Sequence, residues 1–226
     1  MRERLQKLRE QMKAHECSLL LVTGMTNLFY LTGQQLSAGR LLVGMDFAIL
    51  FVDGRYYERC KSEVPIPTVL LTPENFKEEL KKENTTVLGF DSADTSHDEF
   101  LQLKKEMRGT GIKLMPLPNF VQTLRRIKDE DEIQLLREAS KLGSEGYDYL
   151  LGLIKPGVTE TELAKELEIF WLRKGARGVA FESIIAFGPN SSMPHYHPTP
   201  GVKLQNGQPV LIDIGVNDRH YNSDMT

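Results

Sequence analysis

Residues 210–226 read VLIDIGVNDRHYNSDMT, and this stretch decides how the second half of the chain folds. The run from 210 to 216 is apolar except for Asp213 at its middle, which predicts a strand carrying one carboxylate. A turn centred on residues 218–219 predicts a hairpin in which Asp213 faces Asp224, with Cβ atoms about 5 Å apart. Two like charges at that separation repel each other, so a divalent cation such as Mn²⁺ or Mg²⁺ between them would stabilise the pair.

A plainer interpretation of the same aspartates stays open. Asp213 can cap or form a salt bridge inside the fold, while Asp218 and Asp224 can be ordinary turn residues. Asp-Arg is not a favoured two-residue hairpin turn, so the register of the hairpin is open as well. Spacing alone favours this structural interpretation over a metal site.

The segment before the hairpin brings two histidines into a loop. The sequence MPHYHP places His195 and His197 between prolines that stiffen the backbone, after a predicted strand over residues 181–187. A His-x-His pair in a loop is more often one functional residue beside a solvated neighbour than a metal site. The pattern by itself therefore assigns no ligand.

Two long helices are predicted further upstream. Asp129 or Asp131 can cap the first helix, whose apolar residues repeat at helical spacing until Pro156 stops it. The sequence TETE at 159–162 matches a capping box and starts the second helix, which is expected to end at Gly175. The second half of the chain thus begins with helices and ends in strands.

The first part of the chain alternates strands and helices. Residues 1–15 carry apolar residues at steps of three and four, typical of a helix with one buried face. The predicted strands are short β-branched or leucine-rich runs at 18–22, 47–52, 68–71, 86–90 and 113–117. Amphipathic helices are predicted over 75–82 and 97–107. The pattern predicts an α/β domain around a mixed sheet over residues 1–122, followed by a second domain over 123–226.

Composition excludes several classes of function. The 226 residues are 40% hydrophobic and 26% charged with a net charge of −3, which is typical of a globular protein. No basic run argues for nucleic acid, and the apolar runs are far shorter than the roughly 20 residues of a membrane-spanning helix. Because no secretory signal is seen, Cys17 and Cys60 are expected to be reduced thiols in the cytoplasm.

Several motifs carry a family resemblance when they are taken together. FESIIAFGPNSSMPH at 181–195, VLIDIG at 210–215 and NSDMT at 222–226 resemble the front half of the catalytic domain of Xaa-Pro aminopeptidases and Xaa-Pro dipeptidases. Further similar segments are RRIKDEDEI at 125–133, NLFYLTG at 27–33 and DGRY at 53–56. The first of these is similar to the start of the catalytic domain, and the other two are similar to the smaller N-terminal domain. The resemblance covers nearly the whole chain.

The resemblance implies a fold and a set of residue roles. It implies a creatinase/prolidase-like α/β N-terminal domain followed by the first half of an α+β pita-bread metallopeptidase domain. It also implies two divalent metal ions, usually Mn²⁺, and removal of an N-terminal residue that precedes proline. Asp213 and Asp224 match two of the family's five metal ligands, and His195 matches a histidine that contacts the substrate and helps to stabilise the transition state. The remaining ligands would follow Thr226, so the chain is expected to be a fragment whose site is incomplete and inactive.

The resemblance leaves more than one role open. An Xaa-Pro aminopeptidase, acting on peptides with proline in second position, is the preferred interpretation. An Xaa-Pro dipeptidase, or prolidase, differs in how the far end of the substrate is closed off, and a non-catalytic member would bind peptides or a partner protein in the same groove. Facing carboxylates argue against the binding role, which has no need of them. A homodimer formed through the N-terminal domain is also implied.

Overall fold

The computed structural model describes residues 1–83 and 85–226, which divide into two units, Met1–Ile127 and Lys128–Thr226. The sequence predicts the division near residue 122. The structure has it after Ile127 because Phe120 and Val121 are buried in the core of the first unit. In the part of the chain that the structure describes, no helix is long and apolar enough to span a bilayer.

The first unit alternates helices and strands. Its helices are α1 (Arg2–Ala14), α2 (Met25–Thr32), α3 (Tyr57–Glu63), α4 (Pro73–Lys82), α5 (His97–Glu106) and α6 (Phe120–Arg125). Its strands are β1 (Leu19–Val22), β2 (Arg40–Gly44), β3 (Ala48–Val52), β4 (Thr68–Leu70), β5 (Val87–Phe90) and β6 (Lys113–Pro116). Every strand and helix that the sequence predicts in this half is confirmed, with ends that differ by a few residues.

These strands form one mixed sheet in the order β4-β3-β2-β1-β5-β6. β2 is antiparallel to β1 and β3, whereas the β3–β4, β1–β5 and β5–β6 pairs are parallel. Both faces of the central strands are buried, since Leu20 and Val22 pack in one apolar cluster while Leu19 and Leu21 pack in another. A sheet covered on both faces explains why its strands read as continuous apolar runs and confirms the predicted α/β class.

Strand β2 and helices α2 and α3 are not predicted from the sequence patterns. Helix α2 contains Thr26, Asn27, Phe29 and Tyr30, residue types of modest helix propensity, and packing rather than propensity holds it. It ends at Gly33, whose φ of 73° is a left-handed conformation that glycine adopts without strain. The free cysteines Cys17 and Cys60 are both buried.

The second unit begins with the two long helices, α7 (Glu130–Leu151) and α8 (Glu160–Arg173). Asp129 and Thr159 are their N-caps, and the N-terminus of each helix forms a complete capping box. Gly175 follows α8 with a φ of 92°, so the predicted ends of this helix are confirmed. Trp171 of α8 is fully buried, and its indole N–H donates to the carbonyl of Leu142 at 3.0 Å.

Short strands complete this unit. They are β7 (Gly178–Val179), β8 (Ile184–Phe187), β9 (Val210–Asp213), β10 (Val216–Asp218) and β11 (Tyr221–Asn222), with a 3₁₀ turn at Gly188–Ser192. β8 pairs with β9, and β10 lies between β11 and β7. The predicted strand over 210–216 is therefore two strands, because the chain leaves β8 after Asp213 and joins the other sheet from Val216. The predicted strand over 181–187 begins only at Ile184.

Candidate metal centre

A pocket of about 410 Å³ in the second unit gathers side chains from separate segments of the chain. Its lining includes Glu182, His195, Tyr196, His197, Asp213 and Asp224. The structure therefore brings the three site residues predicted from sequence, His195, Asp213 and Asp224, to one cavity. His195 and Asp224 are exposed, and Asp213 is half-buried.

Asp213 lies at the end of a strand rather than in the middle of one. It is the last residue of β9 and pairs with Ile184, the first residue of β8. A strand end places the carboxylate at the rim of the pocket, where it keeps contact with solvent. The burial penalty that the sequence pattern suggested for Asp213 is accordingly small.

The predicted hairpin exists, but its predicted register is wrong. Arg219 and His220 have φ values of 45° and 72°, so they form the two-residue turn, and the pairing is Asp218 with Tyr221. The isolated bridge between Ile214 and Met225 continues this register. Asp213 and Asp224 are thus diagonal neighbours and not direct partners. They still share a face, because side chains alternate with a period of two along each strand.

Packing against α7 explains the observed register. Ser223 lies opposite Val216, where its Oγ accepts the Val216 N–H at 3.1 Å. The same Oγ lies 2.7 Å from the position that a Cβ on Gly143 would occupy, so the hairpin approaches α7 where the helix has no side chain. The hydroxyl of Tyr221 donates to Oε1 of Glu132 at 3.0 Å, which attaches the β10–β11 turn to the start of the helix.

The loop over residues 193–199, called the His195 loop below, follows the 3₁₀ turn. His195 and His197 both lie at the pocket. Nδ1 of His197 is 3.1 Å from Oε2 of Glu182, and both side chains are more than two-thirds exposed, so this contact contributes little to stability.

Glu160, which the sequence analysis passed over, is the fully buried carboxylate beside this site. Its Oε1 accepts from the Phe187 N–H at 2.8 Å and from Nδ2 of Asn190 at 3.1 Å. Its Oε2 accepts from the Tyr196 hydroxyl at 2.7 Å and from the Thr199 N–H at 3.2 Å. Burial alone raises the pKa of Glu160, but the hydrogen bonds from Tyr196, Asn190, Phe187 and Thr199 outweigh it, so the pKa lies below its usual value.

The chemistry of Asp213 and Asp224 fits part of a site for a hard divalent cation. Both present carboxylate oxygens to one pocket, and neither side chain is paired with another of residues 1–83 and 85–226. Within those residues no group of three or more His, Cys, Asp or Glu side chains is arranged to hold a metal ion. The described residues thus offer two ligands on one face.

Comparison with protein-family models agrees with the division into two units. Residues 4–127 match the creatinase/prolidase N-terminal domain, and residues 134–226 match metallopeptidase family M24. The first of these matches covers more than half of the chain, so the chain belongs to the creatinase/prolidase N-terminal domain family, and its second unit is similar to metallopeptidase family M24. The predicted family and the predicted fold, an N-terminal creatinase-type domain followed by the start of the M24 domain, are confirmed.

Individual relatives support the same assignment. The Xaa-Pro dipeptidase of Pyrococcus furiosus is 30% identical over 231 residues, covering 100% of this chain and 64% of the relative. The structure of the Xaa-Pro dipeptidase from Bacillus anthracis matches with a TM-score of 0.91 at 26% identity, over 98% of this chain and 62% of that one. The X-Pro aminopeptidase from Thermotoga maritima has a TM-score of 0.82 at 22% identity, over 97% of this chain and 63% of that one, which shows the fold alone. The chain therefore spans 62 to 64% of the length of these relatives.

Proposed function

We propose that this M24 chain acts in an Xaa-Pro dipeptidase, a metal-dependent hydrolase that cleaves the bond between a first residue and a following proline. The observation that carries the proposal is the convergence of His195, Asp213 and Asp224 on one pocket. The motifs favoured an aminopeptidase, but the relatives that match at 26% and 30% identity are named dipeptidases. The dipeptidase is therefore the better supported of the two activities.

The residues of the pocket have separate tasks in this proposal. Asp213 and Asp224 hold divalent metal ions through their carboxylate oxygens. When bound, such ions activate water and polarise the peptide carbonyl. His195 donates an imidazole N–H to the carbonyl oxygen as negative charge develops there, a type of contact worth several kcal/mol in a prepared site. Manganese as the metal, a homodimer formed through the first unit and a cytoplasmic location stay predictions.

A substrate series tests the activity. The protein at its natural length is stripped with a chelator, supplied with Mn²⁺, and assayed for release of proline from Ala-Pro and for cleavage of Ala-Pro-Ala. A dipeptidase is expected to cleave Ala-Pro at least about tenfold more efficiently, because the free carboxylate beside proline is then part of the recognised substrate. Faster cleavage of the tripeptide would replace the dipeptidase with the aminopeptidase, and no cleavage of either would leave only peptide binding.

A pair of aspartate variants tests the site. Asp213→Asn removes one charged ligand and is expected to lower kcat/KM by at least about 100-fold through loss of bound metal. Asp218→Asn is the matched control, since Asp218 lies at the hairpin turn, where its Oδ2 accepts from the side chain of Arg219. Equal activity of the two variants would show that Asp213 holds no catalytic metal.

A further inference from the structure

The side chain of Glu160 joins two structural elements through its two oxygens. Oε1 is bonded to the end of β8 and to Asn190 in the 3₁₀ turn, whereas Oε2 is bonded to Tyr196 and Thr199 in the His195 loop. A buried carboxylate without such donors would be strongly unfavourable. Here every bond comes from a segment distant in sequence, so the carboxylate acts as a bridge between the strand and the loop.

The other glutamate at the start of α8 has a different task. Oε2 of Glu162 accepts from the backbone N–H and the hydroxyl of Thr159, which completes the capping box of its own helix. Glu160 makes no cap and turns instead toward β8 and the loop. The two residues therefore form a natural comparison, because they lie in the same helical turn and differ in what they hold.

The His195 loop depends on this bridge because its own backbone offers few bonds. Pro194 and Pro198 in the loop and Pro200 directly after it have no N–H, and each proline restricts the residue before it. His195 is exposed, and its neighbour Tyr196 is attached to Glu160. The position of the imidazole is thus set through the residue that follows it.

On the strand side, Glu160 is bonded to β8, the strand that pairs with the one carrying Asp213. Phe187 is the last residue of β8, and β8 pairs with β9 so that Ile184 lies opposite Asp213. Glu160 is therefore bonded both to the strand pair that carries Asp213 and to the loop that carries His195. Its two oxygens connect the two sides of one pocket.

We propose that Glu160 is a positioning residue that fixes His195 relative to Asp213, and so aligns the substrate-contacting imidazole with the metal side of the pocket. This proposal rests on the proposed function, because it requires that His195 acts on a substrate held beside the metal. The carboxylate itself does not reach the pocket and takes no part in bond making.

Substitution by glutamine tests the role with little change in shape. Glu160→Gln replaces one accepting oxygen by an NH₂ group, so either the strand side or the loop side loses its acceptor. In the protein at its natural length, loaded with Mn²⁺, we expect kcat for Ala-Pro to fall at least tenfold while the affinity for Mn²⁺ changes less than twofold. Glu162→Gln is the matched control and is expected to keep kcat within twofold. A Glu160→Gln enzyme with unchanged kcat overturns the proposal.

A double-mutant cycle separates positioning from general support of the fold. If Glu160 acts through His195, the Glu160→Gln substitution lowers kcat in the wild-type background and has no further effect in His195→Ala. A full additional loss in His195→Ala means that Glu160 supports the fold in general, and the positioning role is then wrong. Tyr196→Phe removes the hydroxyl bonded to Oε2 while keeping the ring, so it answers the same question if Glu160→Gln does not fold.

Hydrogen exchange gives a readout that does not need activity. The backbone N–H of Thr199 donates to Oε2 of Glu160, so we expect this amide to exchange at least tenfold faster in Glu160→Gln than in Glu162→Gln, with exchange in α7 unchanged. Unchanged exchange in the loop overturns the anchoring role whatever the substrate proves to be. Faster exchange in a protein that cleaves no Xaa-Pro peptide overturns the proposed function and with it the alignment of His195 for catalysis, while the bridge itself is retained.

Discussion

Two acidic regions of the second unit differ in how their carboxylates are satisfied. Glu160 has no exposed surface and accepts hydrogen bonds on both oxygens. Asp213 and Asp224 line a pocket, and no other residue in 1–83 or 85–226 is bonded to either side chain. A carboxylate already surrounded by donors stabilises the structure, whereas a pair that keeps its oxygens free is available to a cation.

Removing the two types of carboxylate should change the free energy of unfolding by very different amounts, and this is the largest difference in stability that we expect. Glu160→Ala leaves several buried donors without an acceptor and should lower the free energy of unfolding by about 3 kcal/mol. Asp224→Ala in metal-free protein should change it by no more than about 0.5 kcal/mol, because the residue is exposed. Urea unfolding of both variants measures the difference. Similar losses in the two variants would mean that Asp224 is structural.

The contact between α7 and the hairpin allows the register to be tested. A Cβ at residue 143 would lie 2.7 Å from Oγ of Ser223, so Gly143→Ala forces the hairpin that carries Asp224 to shift. We expect a net loss of about 1 kcal/mol, because overpacking exceeds the gain in helix propensity. Gly152→Ala is the control, since its nearest atom is 3.4 Å away. Thermal unfolding and Mn²⁺ titration of both variants measure the effect, and equal stability would contradict the close packing.

The structural features that could be predicted from sequence depend on residues that are close together in the chain. The capping boxes at Asp129 and Thr159 connect residues three apart. Helix α8 begins where the sequence predicts, and α7 begins at the first of its two candidate caps, Asp129 and Asp131. The family motifs likewise predict His195, Asp213 and Asp224 as site residues, and the structure brings the three to one pocket.

The structural features that were not predicted depend on contacts between residues that are far apart in the chain. The hairpin register depends on Ser223 fitting against Gly143 in another element, so turn chemistry at residues 218–219 could not settle it. The partners of Glu160 lie 27 to 39 residues away, and its position beside a capping box offered only a local interpretation. A glutamate at the start of a helix that does not complete the cap is the one sequence signal that could have identified it.

Acid should weaken the Glu160 bridge. Because the pKa of Glu160 is lowered on folding, its stabilising effect is present above the pKa of about 4.3 of an unfolded glutamate. The effect is lost as the pH falls through the lower folded-state value. Burial first, and then the Glu160 carboxylate, raise the pKa of Tyr196, so the phenol stays protonated throughout.

The measurement compares urea midpoints of the wild type and Glu160→Gln between pH 7 and pH 3. We expect the difference between them to be constant above about pH 5 and to shrink below about pH 4, since glutamine does not titrate. A difference that grows in acid would mean that the folded protein holds Glu160 in its protonated form.

Asp224→Asn is expected to change the stability of the protein least and to change its binding of Mn²⁺ clearly. Asp224→Asn keeps the shape of the side chain and removes one charge from the shared face, so the metal-free protein should unfold within about 0.5 kcal/mol of the wild type. Mn²⁺ should broaden the NMR signals of residues 213 and 224 in the wild type and leave them sharp in Asp224→Asn, because one neutral amide cannot replace a carboxylate ligand. Asp218→Asn, at the turn, should keep the broadening. If Mn²⁺ broadens these signals equally in all three proteins, the Asp224 carboxylate is not needed to hold the cation, and the contrast between a satisfied and an available carboxylate does not describe this pocket.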